Sequence, residues 1–355
     1  SAIIFNSPDI ADTQASYNFL QPNDQLSFTI TFGEADPVSF YSSTPNFANF
    51  KTKLNDEYLH QTGETIKANF KITKRNFGSN ISIYDLVAFT TSLNSLTIEQ
   101  SFSIFNRALA NSHFTKFNVL NLDKQFGTTN IFFVPVGATA PTHTFSERQK
   151  RLDSVITASN YVNFKDHCLT PDDFKIIIEN AKHNKLCSLF NRLATILSVV
   201  YLFDITTLKA NELDFKINGY KSIKGTIDLT AIQEADTKEY FNIYDWVYTG
   251  GNLNDKIGLA RNIISLHFFA SGKLELKGIP FQSIQSSFKV YEKQNIKQYI
   301  EIRNKISDQL LDFNNRANKV IETFASGFQK SALALITFYF SAIAIKVLGN
   351  GSFVD

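Results

Sequence analysis

The alternation of apolar and polar positions changes period several times along the chain. Residues 26–32 (LSFTITF) and 65–74 (TIKANFKITK) alternate at period two, as half-buried strands do. Between them Phe47, Phe50, Leu54 and Tyr58 recur at helical spacing and predict one apolar helix face. Residues 98–110 repeat that spacing through Phe102, Phe105 and Leu109. Residues 131–136 (IFFVPV) are too short for a helix and predict a buried strand, with Pro135 at its end or on an edge.

Residues 137–144 (GATAPTHT) are small, Pro- and Thr-rich, and the charged run ERQKR follows closely. This change predicts a boundary between an N-terminal α+β domain at 1–140 and a mainly helical domain with a small β element at 141–283. Thr170-Pro171-Asp172-Asp173 carries a capping hydroxyl, an N1 proline and first-turn carboxylates, which predicts a helix over 171–182. The apolar run 186–203 is interrupted by Asn191 and Arg192, so its uncharged part is about half of what a bilayer needs. It predicts a buried core helix. Residues 213–217 and 223–229 predict two strands joined through Asn218-Gly219. A helix over 238–247 stops before Gly250-Gly251, and the next is expected to be capped by Asn254 or Asp255. Strands mixed irregularly with helices define the fold class as α+β.

The C-terminal run then dominates. Residues 284–330 form one long amphipathic pattern, in which Ile296, Tyr299, Ile306, Leu310, Phe313, Ala317, Val320 and Phe324 fall on alternating steps of three and four. Arg303 is the exception in that seam. Such a stripe over 296–324 suits a coiled coil and self-association, or a long helix packed across its own domain. From residue 331 the pattern turns apolar on every face and carries no charge until Lys346, which can snorkel. The eighteen residues 331–348 measure about 27 Å as a helix, against about 30 Å of hydrocarbon core. Leu335, Phe338, Tyr339 and Ile345 are then the lipid-facing residues. Ala334, Thr337, Ser341 and Ala344 form a small-residue stripe suited to helix contact in lipid. The alternative is a buried C-terminal core helix of a soluble domain. Residues 289–330 hold eight Lys+Arg and five Asp+Glu, and only Asp355 is charged after Leu348, so the positive flank predicts a cytoplasmic N-terminal part.

Composition narrows the partners. The net charge is +2, from 35 Lys+Arg and 33 Asp+Glu, so no global field favours nucleic acid. A 43% hydrophobic and 19% charged chain is a folded one. Two cysteines, with no apolar segment or cleavage-site pattern at the start of the sequence, lead to the expectation of a reducing, cytoplasmic compartment.

Candidate chemistry is sparse. His167, Cys168, His183 and Cys187 do not match a zinc spacing, so no metal or other cofactor is expected. No GxSxG, P-loop or GxGxxG occurs. Glu275 and Lys277 with Asp255 have the residue types of a cation-dependent nuclease site, and on a solvated strand they also arise by chance. Asp255, Lys256, Arg261, Asn262 and His267, beside Trp246 and Tyr248, are the densest polar set and the first place to seek an anion or nucleotide, with Trp246, Lys256, Arg261 and Asn262 as its candidate ligand-binding residues. Arg261 paired with an acid such as Asp245 is the structural alternative. The expectation is a noncatalytic sensor, adaptor or scaffold, cytoplasm-facing and attached to membrane lipid by its C-terminal helix. The alternatives are a soluble enzyme acting on nucleic acid or nucleotides, and a subunit of a larger assembly.

Overall fold

The computed structural model describes residues 20–21, 24–60, 63–74, 79–110, 112, 114–139, 145–232, 237–268 and 274–349. His113, His143 and most of the segment expected to divide the domains lie outside the described residues. The chain forms two compact units, Ser1–Gln285 and Ser286–Asp355.

In the first unit, β1 (Gln25–Phe32), β2 (Val38–Tyr41) and β3 (Ile66–Thr73) make an antiparallel sheet of order β2-β1-β3, with α1 (Phe47–His60) connecting β2 to β3. The period-two pattern is realised in β1, where Phe28, Ile30 and Phe32 are buried and form a small core with Phe50 and Leu54 of α1, whereas β3 packs only Ile66 and Ala68 against that core and leaves Phe70 and Ile72 exposed.

A second sheet follows. β4 (Asn80–Ile83), α2 (Leu86–Asn94), α3 (Ile98–Leu109), β5 (Thr115–Val119), β6 (Phe126–Gly127) and β7 (Ile131–Pro135) give the order β4-β5-β7-β6. The first three strands are parallel, and β6 runs antiparallel to β7. Parallel strands must be covered on both faces, which is why β7 is a continuous apolar run. Gly127 is obligatory, because a Cβ there would collide with the Ile131 carbonyl oxygen.

The third sheet has the order β11-β10-β9-β8, from β8 (Asn160–Tyr161), β9 (Ile205–Lys209), β10 (Glu212–Asn218) and β11 (Ser222–Asp228). The helices around it are α4 (Phe145–Ala158), α5 (Asn184–Leu202), α6 (Thr237–Tyr248) and α7 (Leu253–His267). α5 is the expected core helix. Its residues Phe190, Leu193, Ile196, Leu197 and Val200 have no accessible surface, and each such burial contributes about 1.5–3 kcal/mol. The main core runs from Ile83 to Ile284 and so draws on both sides of residue 140.

Two expectations about helix starts fail. In place of a helix over 171–182 there are two 3-10 turns, Pro171–Asp173 and Ala181–His183. Between them the chain pairs with Gly127, whose N–H donates to the Ile178 carbonyl while Ile177 and Ile178 donate back. Burial of Phe174 and Ile176 and this pairing outweigh the capping signal. The cap of α7 is Asn252, which accepts from the N–H groups of Asn254 and Asp255, the two residues expected to cap it.

α8 (Pro280–Leu348) is one continuous helix. Pro280 and Ile284 are buried in the first unit. In the second unit, Lys297 pairs with Glu301 at 3.9 Å and Asp312 with Arg316 at 2.9 Å, one helical turn apart. The apolar C-terminal stretch is not a buried core helix. Its most apolar eighteen-residue window has 0% of its residues buried, whereas the corresponding, less apolar window of Ala181–Leu202 is 78% buried.

Candidate functional site

The polar set at the α6–α7 corner is assembled as a structural joint. Lys256 is buried, and its Nζ donates to the carbonyls of Trp246, Thr249 and Gly250 at 3.0, 2.9 and 2.7 Å. These are carbonyls at the C-terminal end of α6, where the helix dipole favours a cation. The same ammonium lies 4.7 Å from the centre of the Trp246 ring. Arg261 plays a similar part at α5: it donates to the carbonyls of Leu202, Phe203 and Ala158 at 2.9, 3.0 and 2.8 Å. Its acid partner is Asp204 at 3.3 Å rather than Asp245. Burial lowers the Arg261 pKa and Asp204 opposes that shift. The Asn262 carbonyl accepts from Ser265. Helix-end carbonyls thus occupy the two cations that a ligand would need.

The nuclease constellation is not brought together. Asp255 sits in the first turn of α7, bonded to Asn252 Nδ2 at 2.8 Å. Glu275 and Lys277 flank Leu276, which bridges Phe268 at the opposite end of that helix. Thirteen residues of helix separate Asp255 from Phe268, a rise of about 20 Å. One cation cannot join carboxylates at the two ends. Lys277 instead takes part in the bridge, its N–H donating to the His267 carbonyl at 2.8 Å.

The structure reveals a different polar centre, built on α4 and the turn after it. Arg148 and Asp173 form a buried pair at 2.7 Å, with side-chain exposures of 3% and 0%. The Asp173 carboxylate also accepts from Asn130 Nδ2 at 2.5 Å and Thr170 N at 2.7 Å. Arg148 Nη2 donates further to the Cys168 carbonyl at 2.9 Å. Burial works against the Arg148 charge, but Asp173 more than compensates and the guanidinium pKa rises. One turn along α4, Arg151 meets Asp172 and Asp245, each at 3.2 Å. Burial pushes the Asp172 carboxyl up, while Arg151 and the Tyr244 hydroxyl, 2.9 Å away, pull it down less strongly. A cleft of about 580 Å³ lies beside these groups, lined by Asn130, Arg148, Arg151 and Asp172 among others. Both arginines on its wall are engaged by carboxylates. This network joins residues distant in sequence, and its one local signal was the TPDD segment.

His167 is likewise committed. Ser103 Oγ donates to the Glu99 carbonyl, so it accepts from His167 Nε2 at 3.2 Å, and Tyr161 donates to His167 Nδ1 at 2.9 Å. Burial favours the neutral imidazole, and in that form the Ser103 contact places its proton on Nε2, the reverse of a serine nucleophile activated by a histidine base. Burial lowers its pKa, against Glu99 and Asp166. Burial also pushes both thiols, Cys168 and Cys187, up and away from the thiolate. Among the described residues, no group of three or more His, Cys, Asp or Glu is placed to hold a metal ion.

The second unit presents the residues expected to meet lipid. Leu335, Phe338, Tyr339 and Ile345 are exposed, Phe338 to 73%. Ala334, Thr337, Ser341 and Ala344 are exposed beside them. The hydroxyls of Thr337 and Ser341 donate to the carbonyls of Leu333 and Thr337, each at 2.8 Å, so they need no water. No family model, curated protein or solved structure matches the chain.

Proposed function

We propose that the protein is a noncatalytic sensor, adaptor or scaffold, held at a membrane by the last part of α8 with its α+β unit in the cytoplasm. The observation that carries this is the exposed apolar helix at 331–348. Leu333, Leu335, Ile336, Phe338, Phe340, Ile343, Ile345, Val347 and Leu348 together favour insertion by about 3–5 kcal/mol on a translocon scale. All backbone groups of this segment are paired within a helix except at its end, as hydrocarbon requires. Lys330 precedes it and Lys346 lies near its end, and the excess of cations over 289–330 favours a cytoplasmic side for the preceding sequence.

The noncatalytic part rests on the commitment of Lys256, Arg261, Arg148 and His167 to structural partners, and on the separation of Asp255 from Glu275. Fractionation tests the anchor. The full chain is expected to pellet with membranes after carbonate washing, and a chain ending at Thr323 to remain in the supernatant. Equal solubility of the two would remove the anchor.

A further inference from the structure

The seam that begins at Ile296 does not end at Phe324. The same three-four alternation continues through Gly327, Ser331, Ala334, Phe338, Ser341 and Ile345 to Leu348, on a helix without interruption. Side-chain size changes where the environment would change. Up to Phe324 the seam is built mostly of Ile, Tyr, Leu, Phe and Val, whose burial from water drives helix pairing. Beyond it, Gly327, Ser331, Ala334 and Ser341 dominate, and small residues allow the close backbone approach that drives pairing in lipid.

Resting on the anchoring proposed above, we infer that α8 pairs in parallel and in register with α8 of a second copy of this chain, along one seam from Ile296 to Leu348. Two copies entering a membrane from the same side run parallel, so identical seam residues meet. This turns Phe338 and Ile345 from lipid towards the partner, leaving Leu335 and Tyr339 outside. The charges agree. Lys297, Glu301, Lys305, Asp308, Asp312, Lys319 and Glu322 all fall on the opposite side of the helix, and Arg303 is the single charge in the seam. One polar residue at such a position sets register, and its long stem lets the guanidinium reach water. The area is also sufficient. Fifty-three residues give a strip about 80 Å long and about 10 Å wide, or about 800 Å² per partner, the standard size of a specific interface.

The test is disulfide trapping of the full chain in isolated membranes, with one added cysteine per variant. Ile306→Cys and Ala334→Cys lie in the seam, and Asp308→Cys and Ile336→Cys lie opposite it. The parent, with Cys168 and Cys187, sets the background. On oxidation the seam variants are expected to give about tenfold more disulfide-linked dimer than the opposite-face variants, as a fixed two-helix seam requires. Equal yields on both faces, or none above the parent, would overturn the pairing; the second result is also what a helix lying along the lipid surface would produce. Gly327→Leu supplies an independent measure, since a Cβ there meets nothing within 4 Å in the single helix. It is expected to reduce trapping at Ala334→Cys by about tenfold by holding the backbones apart. An unchanged yield would overturn a seam running through Gly327. Carbonate pelleting of the same samples reads the anchor separately. Pelleted protein without trapping keeps the anchor and overturns the pairing, whereas soluble protein trapped at Ile306→Cys but not at Asp308→Cys overturns the anchor and supports the pairing.

Discussion

Arg148 holds Asp173 through two parallel hydrogen bonds, Nε to Oδ1 at 2.7 Å and Nη2 to Oδ2 at 2.9 Å, with both side chains buried. Each carboxylate oxygen takes one further donor, from Asn130 or from the Thr170 backbone, so the pair is satisfied as a unit. Removing one member leaves the other buried without its opposite charge. Arg148→Met and Asp173→Asn are each expected to cost about 3–5 kcal/mol, and their combination less than the sum. Urea unfolding of the two single variants and the double variant measures this. Strict additivity would mean that the pair does not act as a unit.

Lys256 is predicted to stabilise the molecule without binding ligand. Lys256→Met removes a charged donor from three carbonyls at the end of α6 and is expected to cost about 2 kcal/mol. Thermal unfolding reads the loss. A variant as stable as the parent would reopen this corner as a ligand site.

His167 makes stability depend on pH. Its folded pKa lies below its ordinary value of about 6.5, chiefly through burial, so the unfolded chain binds a proton more readily. The contribution is therefore complete above about pH 6.5 and is lost as pH falls from there through the lowered folded value. The difference in unfolding free energy between the parent and His167→Gln, followed from about pH 8 to pH 5, should shrink towards acid because the variant lacks this titration. A difference that stays constant would show that His167 does not titrate between the two states.

The anchor should fail when charge enters its lipid-facing length. Arginine at both Ile336 and Phe340 adds about 5–7 kcal/mol to insertion, more than the favourable total of about 3–5 kcal/mol. The double variant is expected in the soluble fraction, with the unfolding profile of its α+β unit unchanged. Retention in the membrane pellet would count against insertion.

The period of the chain was legible in the sequence wherever it served a core. Phe28, Ile30 and Phe32 alternate and lie on one face of β1, Phe102, Phe105 and Leu109 repeat at helical spacing and are buried, and 186–203 reads as a core helix because Arg192 interrupts it. Residues 331–348 declare their apolarity without reference to any fold. These are local properties, set by backbone geometry and by the residues within a few positions.

The polar centre was decided elsewhere. Nothing near Arg148 in sequence shows that Asp173 will meet it, or that Asn130 will complete the carboxylate. The signal at Thr170–Asp173 was real but misassigned, because its second carboxylate turned to Arg148 while Phe174 and Ile176 went to the core. Lys256 and Arg261, polar residues that suggested a ligand, were taken by the ends of α6 and α5, whose carbonyls need donors wherever the fold buries them. Asp255 and Glu275, twenty positions apart, lie at opposite ends of α7, since a helix carries its termini away from each other. Periodicity and apolar length are written in neighbouring residues and were determined by the sequence alone. Which buried charge finds which partner is a question of long-range proximity, and only the tertiary structure decided it, because an unpaired buried charge costs too much for any element to be placed without one.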